Sequence, residues 1–179
     1  MPAESLPDRS EALLLPEPPL AGDVLAAKHL YERGQVELAN GESAAAAVDF
    51  ERSYAKSGNP KIFYELARAR ASRGEHARAY TLYAAYLAQV DVVSPARRAE
   101  VEGALREEEA ASGHLAVVCD ASMDVTIDDT LRLPCPFRGR VRVDRGRHHV
   151  VGHQPGCVAQ KVVDGSPGSA LVFVREPTR

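Results

Sequence analysis

The sequence predicts an α+β protein in two segregated domains, an α-helical hairpin stack followed by a small antiparallel β-sandwich. Three observations predict it. Alanine, the best helix former, crowds the chain from Ala21 to Ala121 and almost vanishes beyond, where only Ala159 and Ala170 occur. The same stretch is self-similar at a period of 33 residues. From His114 to the end, Val, Arg, Gly and Pro dominate, and apolar residues alternate with polar ones at the period of a strand.

Composition bounds the function before any motif is read. With 179 residues, 45% hydrophobic and 26% charged, the chain suffices for one ordinary domain or two small ones. No apolar run approaches the roughly 18 residues that a membrane helix needs. A net charge of -3 and the absence of Trp argue against a nucleic-acid binder, whose domain is expected to be basic. Charge divides as the alanines do. From His114 onward nine Lys and Arg stand against seven Asp and Glu, a net of +2, which leaves -5 before it.

Residues 1–22 carry Pro2, Pro7, Pro16, Pro18 and Pro19 among acidic residues, with Leu13, Leu14 and Leu15 as their hydrophobic run, and are predicted to be a disordered tail. A secretory signal needs a basic start and an apolar stretch of about 7 to 15 residues, and neither is present. The expectation is a cytoplasmic protein, or one whose signal has been removed or lies upstream.

Helices are predicted over 23–40, 42–57, 60–73, 75–91 and 95–112. Asp23 caps the first, Asn59 followed by Pro60 opens the third, and Ser94 followed by Pro95 opens the fifth. Gly41 and Gly74 mark the hairpin turns. The 33-residue shift lays Lys28 on Lys61, Tyr31 on Tyr64, Glu32 on Glu65, Ala46 on Ala79 and Phe50 on Tyr83. Such a period is the signature of stacked helical hairpins, none able to bury its apolar face alone. Small residues at Ala46, Ala67 and Ala79 let helices approach, while Leu30, Phe50, Phe63, Leu66 and Tyr83 supply volume.

This spacing of large, small, Ala, aromatic and small resembles the tetratricopeptide repeat (TPR) family: Leu30, Gly34, Ala46, Phe50, Ser53, then Phe63, Ala67, Ala79, Tyr83, Tyr86. The family's closing proline is displaced, to Pro60 and Pro95. The resemblance covers about 24–112 and implies two repeats plus a capping helix, the domain spanning 23–112. It further implies a groove that binds an extended peptide or a partner helix, lined by Lys28, Tyr31, Glu32, Gln35, Lys61, Tyr64, Glu65 and Arg68. The plain reading of the same residues is that both tyrosines are packing and the charges a solvated face.

In the last third, six short strands are expected around Leu115 to Cys119, Val125 and Ile127, Val141 and Val143, Val150 and Val151, Val162 and Val163, and Leu171 and Phe173. Turn-forming groups separate them, among them Asp128-Asp129-Thr130, Asp144-Arg145-Gly146, Gln154-Pro155-Gly156 and Asp164 to Gly168. The order resembles the PEGA domain, a small extracytoplasmic sandwich, over 113–179. Val125-Thr126-Ile127-Asp128, Cys135-Pro136, the run from Arg145 to Val150 and Pro155-Gly156-Cys157 match its strand and turn motifs, although Asp120, Ala121, Ser122 and Met123 replace the four residues that name it. TPR repeats with such a tail are typical of envelope proteins of myxobacteria and their relatives, which implies a periplasmic or cell-envelope site. Cys135 and Cys157 stand where the resembled module has a Thr and a Tyr in two turns, so a bridge between them and two inert thiols are both open. A bridge over such a loop adds roughly 3 kcal/mol in an oxidising compartment. Cys119 is expected to be buried on a strand.

Chemistry-bearing patterns are few. The three cysteines form no CxxC pair, so no metal and no cofactor is expected. His148 and His149 point to opposite faces of a strand and His153 lies about 13 Å along it, which breaks up a seeming metal cluster. Arg138, Arg140 and Arg142 share one strand face near Arg145 and Arg147, so Arg138, Arg140, Arg142 and Arg147 form either a solvated sheet face or a site for an anionic envelope polymer, lipid headgroup or acidic protein. No nucleophile elbow, phosphate loop, HExxH or dinucleotide fingerprint occurs, and no enzyme is expected. The expectation is a non-enzymatic adaptor or scaffold of the cell envelope with an unidentified protein partner, no nucleic acid and no membrane span; the alternative is a cytoplasmic adaptor of a signalling or secretion complex.

Overall fold

The computed structural model describes residues 6–17, 22–119, 123–154, 157–165 and 170–172, with the side chains of 154–159 and 170–172 excepted. The expectations placed on Phe173, on 120–122, on the turn residues 155–156 and 166–168, on tail residues 1–5 and 18–21, and on the Cys157 thiol lie outside these. The protein is mixed helix and sheet, and the chain divides into two units: Leu14–Ala111, and the two chain ends up to Leu13 and from Ser112.

The helical unit carries α2 (Val24–Ala39), α3 (Ser43–Ser57), α4 (Ile62–Ala71), α5 (His76–Gln89) and α6 (Pro95–Ala111), following the short α1 (Ser10–Leu14). Its caps are those of the sequence. The Asp23 carboxylate accepts from the Ala26 N–H at 3.0 Å and the Ser94 hydroxyl from Arg97 at 3.3 Å. Asn59 accepts from Lys61 at 3.1 Å, yet α4 begins only at Ile62, because the preceding turn is closed by bonds from Ile62 to Asn59 and Phe63 to Pro60 that span three residues. Gly41 and Gly74 turn the hairpins at φ of 80° and 75°, a region glycine enters at no steric cost.

Each helix packs on the next in sequence, from α2 through α6. Phe50, Phe63, Leu66, Leu82 and Val101 fill the core, and Ala46, Ala67 and Ala79 are wholly buried where helices meet. Leu30 is only half-buried. Gly34 is the tightest approach: a Cβ there would lie 2.8 Å from the Phe50 ring. Polar clamps join the helices as well. The Ser53 hydroxyl donates to the Ala27 carbonyl at 2.7 Å, Arg33 grips the buried Asp49 through two nitrogens, and buried Arg70 bonds Glu51 and, at 2.5 Å, Glu75.

The second unit has two sheets. One runs β4 (Phe137–Asp144), β1 (Ser112–Cys119), β7 (Ala170–Val172); the other β3 (Leu131–Leu133), β2 (Asp124–Ile127), β5 (Arg147–Gln154), β6 (Cys157–Asp164). One buried cluster draws Leu115, Val117 and Val141 from the first and Val125, Ile127, Leu133 and Val150 from the second. Two features depart from the sequence reading. β3 adds a seventh strand, too short for its alternation to register, and β7 pairs with β1 in parallel rather than antiparallel.

The tail is the larger correction. Residues 6–17 were expected to be disordered, but Leu6 and Ser10 are buried, Asp8 forms a parallel bridge with Arg140, and Leu13 packs on the sheet core. An edge strand with open N–H and C=O groups gives an extended segment partners that composition does not reveal.

Candidate functional site

A cleft of about 330 Å³ opens where α2, α3 and α4 meet, lined by Val24, Ala27, Lys28, Tyr31, Ser53, Ser57, Asn59, Lys61 and Ile62. Its base is apolar and its rim is cationic: Lys28 and Lys61 are both exposed, and Lys28 has only a loose pairing with Glu32 at 3.7 Å. Tyr31 is half-buried, with its ring 5.6 Å from that of Phe50 and its hydroxyl accepting from Gln35 Nε2 at 3.3 Å. Burial, then the Glu65 charge, raise its ionisation above the ordinary tyrosine range. Val24 and Leu25 lie exposed at the start of α2. The arrangement suits an extended segment carrying apolar and acidic side chains, while Ser57 and Asn59 are engaged locally, Ser57 donating to the Ser53 carbonyl at 2.9 Å and Asn59 accepting from Lys61.

Of the eight residues expected to line one groove, Lys28, Tyr31 and Lys61 meet in this cleft. Glu32 and Gln35 lie on the exposed surface of α2, outside its lining. Tyr64 is buried, with rings of Tyr83 and Tyr86 at 6.2 and 5.7 Å, its hydroxyl donating to Glu100, and the Arg97 guanidinium 3.9 Å from its ring centre. Burial and the Glu100 hydrogen bond push its hydroxyl up to about 12 against the Arg97 charge. Tyr64 is therefore a packing residue. The Arg68 guanidinium lies 5.8 Å from the centre of the same ring and pairs with Glu65 at 2.9 Å.

Sequence reasoning missed Arg97 and Glu100, although for Arg97 the 33-residue shift marks the position: applied again, it carries Tyr31 and Tyr64 onto Arg97. The apolar and hydroxyl lining at Val24, Ala27, Ser53, Ser57 and Ile62 had no such mark, since small and aliphatic residues are common in any helix.

The arginine stripe does not form one surface. Arg138 is exposed, Arg140 half-buried, and Arg142 buried with Nη1 donating to the Ser112 hydroxyl at 2.9 Å; Arg147 belongs to the other sheet. Alternation put the three on one side of β4, as expected, with Val141 and Val143 in the core, but that side is partly covered.

The cysteine pairing also differs. Cys135 bonds Cys119, sixteen residues away, so it has no sulfur left for Cys157. The end of β1 lies beside the turn before β4 because the two strands pair along their whole length, Cys119 opposite Phe137, which brings Cys119 and Cys135 to a Cα separation of 5.8 Å, within the usual range for a bridge. No helix among the described residues is long and apolar enough to cross a membrane. Comparison with family models, curated proteins and solved structures finds none that matches this chain.

Proposed function

We infer that the protein is a non-enzymatic adaptor in which a TPR-like helical stack holds an extended acidic segment of a partner protein and a PEGA-like β-sandwich orients it at an extracytoplasmic surface. The cleft carries this reading: an apolar base under two exposed lysines, at the junction of three helices, is complementary to a segment that places an aliphatic side chain on Ala27 and Ile62 and carboxylates near Lys28 and Lys61. The Cys119–Cys135 bond favours an envelope over a cytoplasmic setting, since thiols in the mesophilic cytosol are kept reduced.

Selection of peptides from a random displayed library on the full chain tests the reading. The selected sequences should be enriched in Asp and Glu, and Lys28→Glu with Lys61→Glu should weaken them by about tenfold at low salt, where exposed charges are least screened. Selected peptides without acidic enrichment, or with affinity untouched by the double reversal, would exclude the cleft as their site.

A further inference from the structure

The free edge of β4 is occupied by the chain's own residues 6–10, and the fit is chemically selective. Arg9 donates its N–H to the Arg140 carbonyl at 2.8 Å, and Arg140 donates in return to the Pro7 carbonyl at 2.8 Å. Pro7, which has no N–H, is asked only to accept. The Ser10 hydroxyl accepts from the Arg142 N–H at 2.7 Å and donates to the Asp8 carboxylate at 2.5 Å, while the other Asp8 oxygen meets His114 Nε2 at 2.9 Å. Beneath the segment lies Gly139, where a Cβ would stand 2.6 Å from Arg9 Cγ and 3.0 Å from the Pro7 carbonyl oxygen. An imidazole for the carboxylate, an open N–H for the hydroxyl and a missing side chain for the backbone make this edge a receptor for the segment Pro-Asp-Arg-Ser.

The segment is tied to its receptor by contacts and not by a short loop. After Leu13 the chain enters the helical unit and returns to the sheets only at Ser112. All of the contacts just described are local, so a strap from a second copy reproduces each of them on the same edge. The chain's own strap and that of a second copy compete for this one edge, so exchange rises with the concentration of the chain. Two such displacements close on each other and leave no edge open, the general economy of exchanged elements.

We propose that residues 6–10 are an exchangeable strap and that two copies of this chain associate by each laying its strap on the other's β4. Complementation in the full chain tests it. Asp8→Ala with Ser10→Ala disables the strap and leaves the receptor; Gly139→Val blocks the receptor and leaves the strap. With one variant isotopically heavy, native mass spectrometry of the mixture should show mixed dimers at about tenfold the share of dimers in either variant alone, since only the mixture pairs a free strap with a vacant edge. A mixture with no more dimer than its components overturns the proposal, as does dimer formation undiminished when both copies lack a working strap. Should Gly139→Val fail to fold, His114→Ala serves as the weakened receptor, with the same expected and overturning results.

Discussion

His148 is buried between two acceptors, its Nδ1 at 2.6 Å from the Asp128 carboxylate and its Nε2 at 2.7 Å from the Asp144 carbonyl. Asp128 holds this position because it and Asp129 adopt positive φ of 51° and 56° in the β2–β3 turn, a conformation that short polar side chains tolerate. Gly165 closes the pocket, a Cβ there falling 2.9 Å from Nε2. Burial disfavours the charged ring, but the hydrogen bonds and charges of Asp128 and Asp144 outweigh it, and the ring's pKa lies above the ordinary 6.5. The folded state therefore binds the proton more tightly than the unfolded chain. The contribution is complete below about pH 6.5 and is lost as pH rises through the folded value. His114 works in the opposite direction, burial and the charges of Arg142 and Arg140 outweighing the Asp8 hydrogen bond and lowering it, so the parent alone does not isolate His148. The difference in denaturant stability between the parent and His148→Gln should shrink as pH is raised from 5.5 to 8.5. A difference that stays constant or widens would mean that the ring is neutral in the fold.

At the scale of the element, the two repeat tyrosines occupy equivalent helix positions with unequal duties. Tyr64 on α4 is buried, met by Tyr83 and Tyr86 of α5 and by Arg97 and Glu100 of α6, whereas Tyr31 on α2 has the Phe50 ring of α3 beside it and stays half-buried. Tyr64→Ala should cost about 3 to 5 kcal/mol, the range for truncating a buried aromatic, and flatten the helical denaturation transition. Tyr31→Ala should cost less than half as much and instead weaken peptides selected on the cleft. Equal losses of stability would place both tyrosines in the core. The disulfide is the corresponding brace of the sheets, tying the end of β1 to the turn before β4. Non-reducing peptide mapping should join Cys119 to Cys135, and reduction should lower stability by about 3 kcal/mol for a loop of this length. A Cys135–Cys157 peptide would reject the pairing.

For the whole molecule, the decisive fact is that the sheet unit is assembled from both ends of the chain, with the helical unit inserted between them. A cut at the apparent domain boundary thus leaves the β4 edge uncovered. A fragment of 112–179 should self-associate, because an open edge presents unpaired N–H and C=O groups, and it should scatter more light than the same fragment with residues 6–13 supplied as a fused leader. Equal scattering would show that the strap does not protect the edge. Such a small unit buries too little area to tolerate that loss lightly.

The helices could be read from the sequence because their causes are local. Asp23, Ser94 and the Gly41 and Gly74 turns are decided within a few residues, and the period of 33 follows from hairpins that need like neighbours. The strand faces were legible for the same reason, strict alternation placing Val141 and Val143 inward whatever lies outside. What only the tertiary structure decided are contacts between residues distant along the chain. Arg142 reads as a surface cation until Ser112 and Ser10 come to it; Cys135 reads as bridged to Cys157 or as an inert thiol until β1 aligns with β4; the tail reads as disordered until Arg140 offers it an N–H and a carbonyl. Periodicity records which side a residue faces. Whether that side meets water, sulfur or another stretch of backbone depends on which distant segments the fold brings alongside, and no local pattern carries that information.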